Sequence, residues 1–252
     1  MDYPKAGKYT DLDEIYAQSS GPGGLKLAEF IADKLDLQSG VRLLDIGMNR
    51  GIQTCFLAKE YGISAVGIDP RDDDFDGMPY IDHLMRNANI WGVQNQVLGF
   101  CSAVPHTNLP GNSFDYVYSN NTFESIRGYE GETKYRECLW EVFRLLRPGG
   151  LFGYSDPMNL DVPLPNDLAG LIPVDWLHSL ATLHMTMNSF ESVGFEIIDA
   201  DYAPDAQLWW QEYSRHDPYC KADPECEPKT IQVDNGRWLS IGYIIARKPQ
   251  LE

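Results

Sequence analysis

The sequence predicts an α/β fold: an open sheet of seven strands, mostly parallel with an antiparallel last strand, carrying helices on both faces. Three observations predict it. Short apolar runs and helix-patterned segments alternate five times, the pattern of parallel strands joined by crossover helices. The last two apolar runs follow one another with no helix-patterned segment between them, so they are expected to pair antiparallel. The chain has 252 residues, 43% of them apolar, which suffices for one large core.

The elements follow in order. Residues 24–37 place Ala28, Ile31 and Leu35 at helical spacing, and Ser39-Gly40 stops that helix. "VRLLDI" (41–46) is a short apolar run that reads as a buried strand. Residues 52–62 form a helix closed by Gly62, and 63–69, "ISAVGID", a second strand ending in an acid. A helix over 80–92 leads to a third strand over 95–101, and an aromatic fourth strand covers 113–119. Residues 132–150 are a helix with Cys138, Val142 and Leu145 on one face, ended by Pro148-Gly149-Gly150. "LFGYSD" (151–156) is the fifth strand, 186–195 the tail of a helix, and 195–202 and 237–248 the last two strands.

Two long stretches interrupt the alternation, 157–180 after the fifth strand and 203–236 after the sixth. Both leave the carboxyl ends of strands, the edge where open α/β sheets bind ligands. Long connections there are more often functional than decorative. The expected organisation is one domain over 1–252, with an N-terminal cap over about 1–22 and these two insertions as lids.

Composition narrows the partners. The net charge is -17 and no basic stripe is visible, which argues against nucleic acid and against an anionic membrane surface. A small neutral or cationic substrate suits the charge, although acidity by itself also serves solubility. Five scattered cysteines point to a reducing compartment, with the cytoplasm as the expected location. The polar N-terminus has no apolar stretch typical of a signal peptide, and no run reaches the roughly 20 apolar residues of a membrane span. Leu251-Glu252 are set aside as a vector remnant.

The most informative stretch is "LLDIGMNRG" (43–51). A strand ends in Asp45, and Gly47 and Gly51 frame a turn into a helix. In this company "AVGIDP", "NSFDYVYSNNTFESI", "LRPGGLFGYSD" and "ESVGFEII" follow in order. Together, over about residues 23–248, they resemble the class I S-adenosylmethionine-dependent methyltransferases. The resemblance is closest to the small-molecule branch that includes ubiquinone, menaquinone and sarcosine/dimethylglycine methyltransferases. It implies a Rossmann-like sheet and S-adenosyl-L-methionine as cofactor.

The resemblance also implies roles. The family's first motif is D/E-x-G-x-G-x-G; here Asp45, Gly47 and Gly51 match, Met48 fills a variable position, and Asn49 replaces the middle glycine. Asparagine is among the few residues that tolerate positive φ, so the loop is expected to work. Asp69 would accept both ribose hydroxyls and Pro70 would pack on the adenine. Ser102-Ala103 stands where the family often has Asp-Ala, a weaker acceptor for the adenine amine. Asn120 would lie beneath the methionine moiety, Asp45 would orient the loop, and Gly23-Gly24 would line the amino-acid end. A nicotinamide site is disfavoured, because the loop lacks G-x-G-x-x-G.

Methyl transfer needs a base only if the nucleophile arrives protonated. Candidate assistants are His178 and His184 near the first insertion and Tyr16 in the N-terminal cap; each has a packing or surface role as its plainer reading. Trp209, Trp210 and His216 are the candidate substrate contacts in the second insertion. Aromatic faces among acids, with Tyr213 and Tyr219 nearby, suit an amine or a sulfonium. His216, Cys220 and Cys226 have no common zinc spacing, so no metal is expected, and Cys101 reads as a buried small residue. Two other readings compete with a small-molecule methyltransferase. One is a non-catalytic scaffold that binds a protein partner through its aromatic insertions. The other is a nucleic-acid methyltransferase, which the acidity and "SNNTFE" in place of Asn/Asp-Pro-Pro-Tyr/Phe speak against. The acceptor atom and the oligomeric state are left open.

Overall fold

The computed structural model describes residues 2–72 and 77–250; Leu251-Glu252, expected to be a vector remnant, lie outside them. A short 3-10 helix (Ala6–Lys8) and α1 (Leu12–Gln18) precede α2 (Gly24–Lys34). Then come β1 (Arg42–Ile46), α3 (Ile52–Tyr61), β2 (Ser64–Asp69), α4 (Tyr80–Trp91), β3 (Val97–Cys101) and β4 (Phe114–Asn120). The second half holds α5 (Phe123–Leu145), β5 (Leu146–Asn159), α6 (Val174–Ser179), α7 (Leu183–Val193) and β6 (Glu196–Tyr202). It ends with α8 (Ala206–His216), α9 (Pro218–Ala222), α10 (Glu227–Asp234) and β7 (Leu239–Arg247).

The strands form one sheet in the order β3-β2-β1-β4-β5-β7-β6. The first five strands pair in parallel, and β7 runs antiparallel to both β5 and β6. Alternate residues feed opposite faces. Leu43, Tyr243 and Ile245 join a core with α2, α3, α4 and α8, whereas Leu44, Ile244 and Ala246 join one with α5 and α7. Burial on both faces is why these strands read as continuous apolar runs. Strand order reverses between β1 and β4, and the carboxyl ends of both open onto the same edge.

Three elements differ from expectation. No helix was expected between the last two strands, but residues 203–236 hold three, so the antiparallel β6–β7 pair is joined by a helical insertion. Ala206, Trp209, Trp210 and Tyr213 are the buried stripe of α8, at i, i+3, i+4 and i+7. Its short length and the following Asp-Pro obscure that period. α5 begins at Phe123, well before residue 132, and is broken only at Gly131 (φ 83°, ψ 172°). Its start is capped from a distance: Thr122 and Glu124 donate their backbone N–H groups to Asp156 at 2.9 Å each. β5 outruns 151–156 because its far half pairs with β7 from Leu151↔Arg247 to Asn159↔Leu239. Pro157 is tolerated there because pairing with β4 has ended at Asn120↔Ser155. Among the described residues no helix is long and apolar enough to cross a membrane.

Candidate active site

A cavity of about 350 Å³ sits at the carboxyl edge, over the point where strand order reverses. Its wall contains Gly47, Met48 and Asn49 after β1, Asp69 and Pro70 after β2, Ser102 and Ala103 after β3, and Asn120 after β4. These are eight of the twelve residues for which a cofactor role was expected. Two of the others, Gly51 and Asp45, sit behind the wall. Gly51 (φ 77°) starts α3 and leaves the space that Leu84 fills. Asp45 is buried and accepts from the Thr54 hydroxyl at 2.6 Å, tying β1 to α3 beneath the turn.

The turn is built from backbone that few residues accept. Gly47 has φ 78°, and a Cβ there would run into the Thr122 side chain. Asn49 has φ 50°, and its side-chain carbonyl accepts from the Arg50 N–H at 2.7 Å. That local bond is what lets asparagine stand where glycine would serve. We expect Asn49→Gly to keep ligand affinity within about threefold and Asn49→Val to lose it, since a β-branched residue at positive φ is strained. Titration of both variants with S-adenosylhomocysteine checks this; normal affinity in the valine variant refutes the account of the turn. The Met48 side chain packs over Gly67 of β2.

Two carboxylates dominate the electrostatics. Asp69 is buried, and one of its oxygens accepts from the Asn49 N–H at 3.1 Å while the other accepts from the Arg71 N–H at 3.0 Å. Burial pushes its pKa up, and these two bonds and the Arg71 charge hold it back. Each oxygen keeps lone-pair capacity. Asp45 is raised further, to about 7, by burial that the Thr54 hydrogen bond only partly offsets. The folded protein therefore retains a proton on Asp45 that the unfolded chain releases above about pH 4. Asp45 thus contributes a loss of stability as pH rises from there to about 7. Asp45→Asn should remove that part of the slope, read as thermal midpoints across this range.

Asn120 is held in place from both sides: its amide donates to Gln53 at 3.3 Å and its carbonyl accepts from Ser155 at 3.1 Å. Sequence reasoning missed Asn121, whose φ is 51° and whose amide donates to the carbonyls of Ser20 (2.9 Å) and Pro22 (3.1 Å). These bonds clamp the N-terminal cap onto the start of α5, and Gln18, Ser19 and Ser20 join the cavity wall. The Asn121 carbonyl oxygen is buried and has no donor. The doubled "NN" after an aromatic strand was the one available signal.

A second cavity, about 340 Å³, lies across the first turns of α5. Ser125 is in the wall of both cavities. This space contains His178 and Trp210, with Trp176, Glu124, Asp175 and Glu227. One Glu124 side-chain oxygen accepts from the Ser125 hydroxyl at 2.9 Å, and the other is buried with no donor. Burial raises both the Glu124 and the Asp156 carboxyl, and the Glu124 charge adds to the shift of Asp156. Neither acid was foreseen as a site residue, because the contact joins two elements 32 residues apart.

The remaining candidates are placed elsewhere. His184 is on the exposed side of α7, beside Asn188 at 3.3 Å, and lines neither cavity. Tyr16 is buried under α8, stacked on His216 with ring centroids 6.2 Å apart; burial and the Glu212 charge raise its phenol far above the ordinary value. His216 itself pairs with Asp13 at 2.7 Å, and Lys221 donates to the same oxygen. Trp209 is core, between Tyr3 and Phe30. Gly23-Gly24 start α2 beside Tyr16 rather than in the larger cavity. Cys220 is buried next to Glu227, and Cys101, expected to be buried, is exposed at the end of β3. Among the described residues no three metal-binding side chains converge.

Residues 44–153 match a family model described as a methyltransferase domain. The chain is 26% identical over 189 residues to a sterol 24-C-methyltransferase of Yarrowia lipolytica, covering 72% of this chain and 46% of that protein. It thus spans about half the length of the sterol methyltransferases it matches. Among solved structures, an S-adenosylmethionine-dependent methyltransferase from Thiobacillus denitrificans, in complex with S-adenosyl-L-homocysteine, superposes with a TM-score of 0.68. The identity is 18%, with 98% of this chain and 99% of that one covered. The [4+2]-cyclase SpnF superposes with a TM-score of 0.71 at 19% identity, covering 90% of this chain and 82% of that one. Sheet order and these superpositions show that the chain has the fold of class I S-adenosylmethionine-dependent methyltransferases, and its central segment is similar to a methyltransferase domain.

Proposed function

We propose that this chain is an S-adenosylmethionine-dependent methyltransferase acting on a small-molecule acceptor. The observation that carries the reading is the wall of the larger cavity. There a left-handed turn, a buried carboxylate with spare lone pairs and an unpartnered asparagine carbonyl meet in one space. Those groups fit the cofactor's parts. Asp69 would accept from ribose hydroxyls, and the buried Asn121 oxygen would accept from the ammonium group. Pro70 offers an apolar edge to the base. The Ser102 hydroxyl donates to the Thr107 carbonyl at 3.1 Å, so it keeps acceptor capacity for an adenine amine.

When bound, S-adenosylmethionine supplies a methyl group already activated on a sulfonium, so the protein's part is alignment and exclusion of water. Asn120, fixed between Gln53 and Ser155, gives the cavity a rigid polar floor. The N-terminal cap, clamped by Asn121, closes one side with Gln18 to Ser20. Its place argues for one domain with the cap at about 1–22 and the insertions at about 157–180 and 203–236. The cytoplasm fits the five unpaired cysteines. A scaffold that binds proteins through its aromatic insertion fits less well, because Trp209, Trp210 and Tyr213 are buried.

The test is titration with S-adenosylhomocysteine, followed by transfer of labelled methyl from S-adenosylmethionine to a metabolite panel. Saturable binding with transfer is the expected result. Binding without transfer to any acceptor class would favour another reaction on the same fold.

A further inference from the structure

The second cavity differs in chemistry from the first. Three carboxyl side chains, Glu124, Asp175 and Glu227, line it together with the rings of Trp176, Trp210 and Tyr219. Among its described lining residues there is no lysine and no arginine, and His178 is the one basic side chain. Trp176 and Trp210 meet with ring centroids 5.3 Å apart, one from each of the two insertions. The Trp210 N–H is directed to the Ser240 carbonyl at 3.3 Å, which anchors that ring to β7. Glu227 accepts from the Tyr213 hydroxyl at 2.8 Å, so its carboxylate is held from behind. Glu124 and Glu227 are half-buried and Asp175 is exposed at the rim, and the three share a cavity of about 340 Å³ with aromatic faces, one shared serine from the larger cavity.

We propose that this second cavity binds the acceptor, and that the acceptor is a small organic amine, held as a cation, that carries no phosphate or carboxylate group. The inference rests on the methyltransferase reading for the word acceptor, but the cation site stands on its own residues. Carboxylates next to aromatic faces attract an ammonium by charge and by the ring quadrupole. The same wall repels an anion, since a phosphate or carboxylate would be desolvated among three acids with no cation to pair it. A large apolar acceptor such as a sterol does not suit a wall with this many charges, nor a space of this size.

The probe is benzyltrimethylammonium, which can be neither methylated nor deprotonated, titrated into the full chain with and without S-adenosylhomocysteine. Phosphoethanolamine, dimethylglycine and benzyl alcohol serve as comparisons. The cation should bind at least about tenfold more tightly than any of the three. Glu227→Gln should weaken it about tenfold and the exposed Tyr219→Leu about threefold, with affinity for S-adenosylhomocysteine unchanged. Tyr219 is 59% exposed, so that variant tests the site even if Glu227→Gln fails to fold. Equal or tighter binding of an anion-bearing amine or of the alcohol overturns the proposal, as does cation binding that neither variant alters. Failure of S-adenosylhomocysteine to bind would instead remove the methyltransferase reading, and cation binding without it would still decide the site.

Discussion

Replacing Trp209 with alanine is expected to destabilise the protein by about 3–5 kcal/mol, the range for truncating a large buried aromatic. The side chain is 1% exposed and fills the space between Tyr3 and Phe30, with ring centroids 5.8 and 5.9 Å away. Phe30 in turn meets Tyr243 edge-on at 5.0 Å, so one aromatic stack joins the N-terminal segment, α8, α2 and β7. No neighbour is free to collapse into the gap, because each ring is held by another. For a chain of this size the midpoint of thermal unfolding should fall by roughly 6–20 °C. Trp210→Ala should behave differently. It removes a buried ring and so should also lower the midpoint, but it opens the second cavity as well and should in addition weaken binding of the cation probe. An unchanged midpoint for Trp209→Ala would show that α8 does not belong to the core.

Asp69→Ala is expected to weaken S-adenosylhomocysteine binding by about 1–3 kcal/mol, roughly 5- to 150-fold. Two losses combine. The ribose hydroxyls would lose their proposed acceptor, and the Asn49 and Arg71 N–H groups would lose the oxygens that now hold the turn. Asp69→Asn keeps one carbonyl acceptor and should fall between. Calorimetric titration of the three proteins, with their unfolding midpoints as a control, separates local from global effects. A dissociation constant unchanged in the alanine variant would refute the assignment of Asp69.

Much of the sheet and of the larger cavity was legible from local sequence. The central strands are buried on both faces and so read as apolar runs, whereas the edge strands β3 and β6 are partly exposed, and strand ends carry the acid, glycine or asparagine that the next turn needs. Asn49 could be expected at positive φ because few other residues adopt it, and its φ of 50° agrees. The second cavity was not legible. Its walls come from α5, the end of β5, α6, α8, α9 and α10, and no local spacing marks residues that meet only after folding. Trp209 and Trp210 show the limit most clearly. Adjacent on one helix, they look equivalent in sequence, and both are buried, yet only Trp210 also borders the second cavity, because neighbours on a helix point about 100° apart. The chain's own pattern determined the strand order's building blocks and the acidic, glycine-framed cofactor edge, since those depend on periodicity and backbone preference. Only the tertiary structure decided which acids and rings face one another, because that depends on where distant helices come to rest.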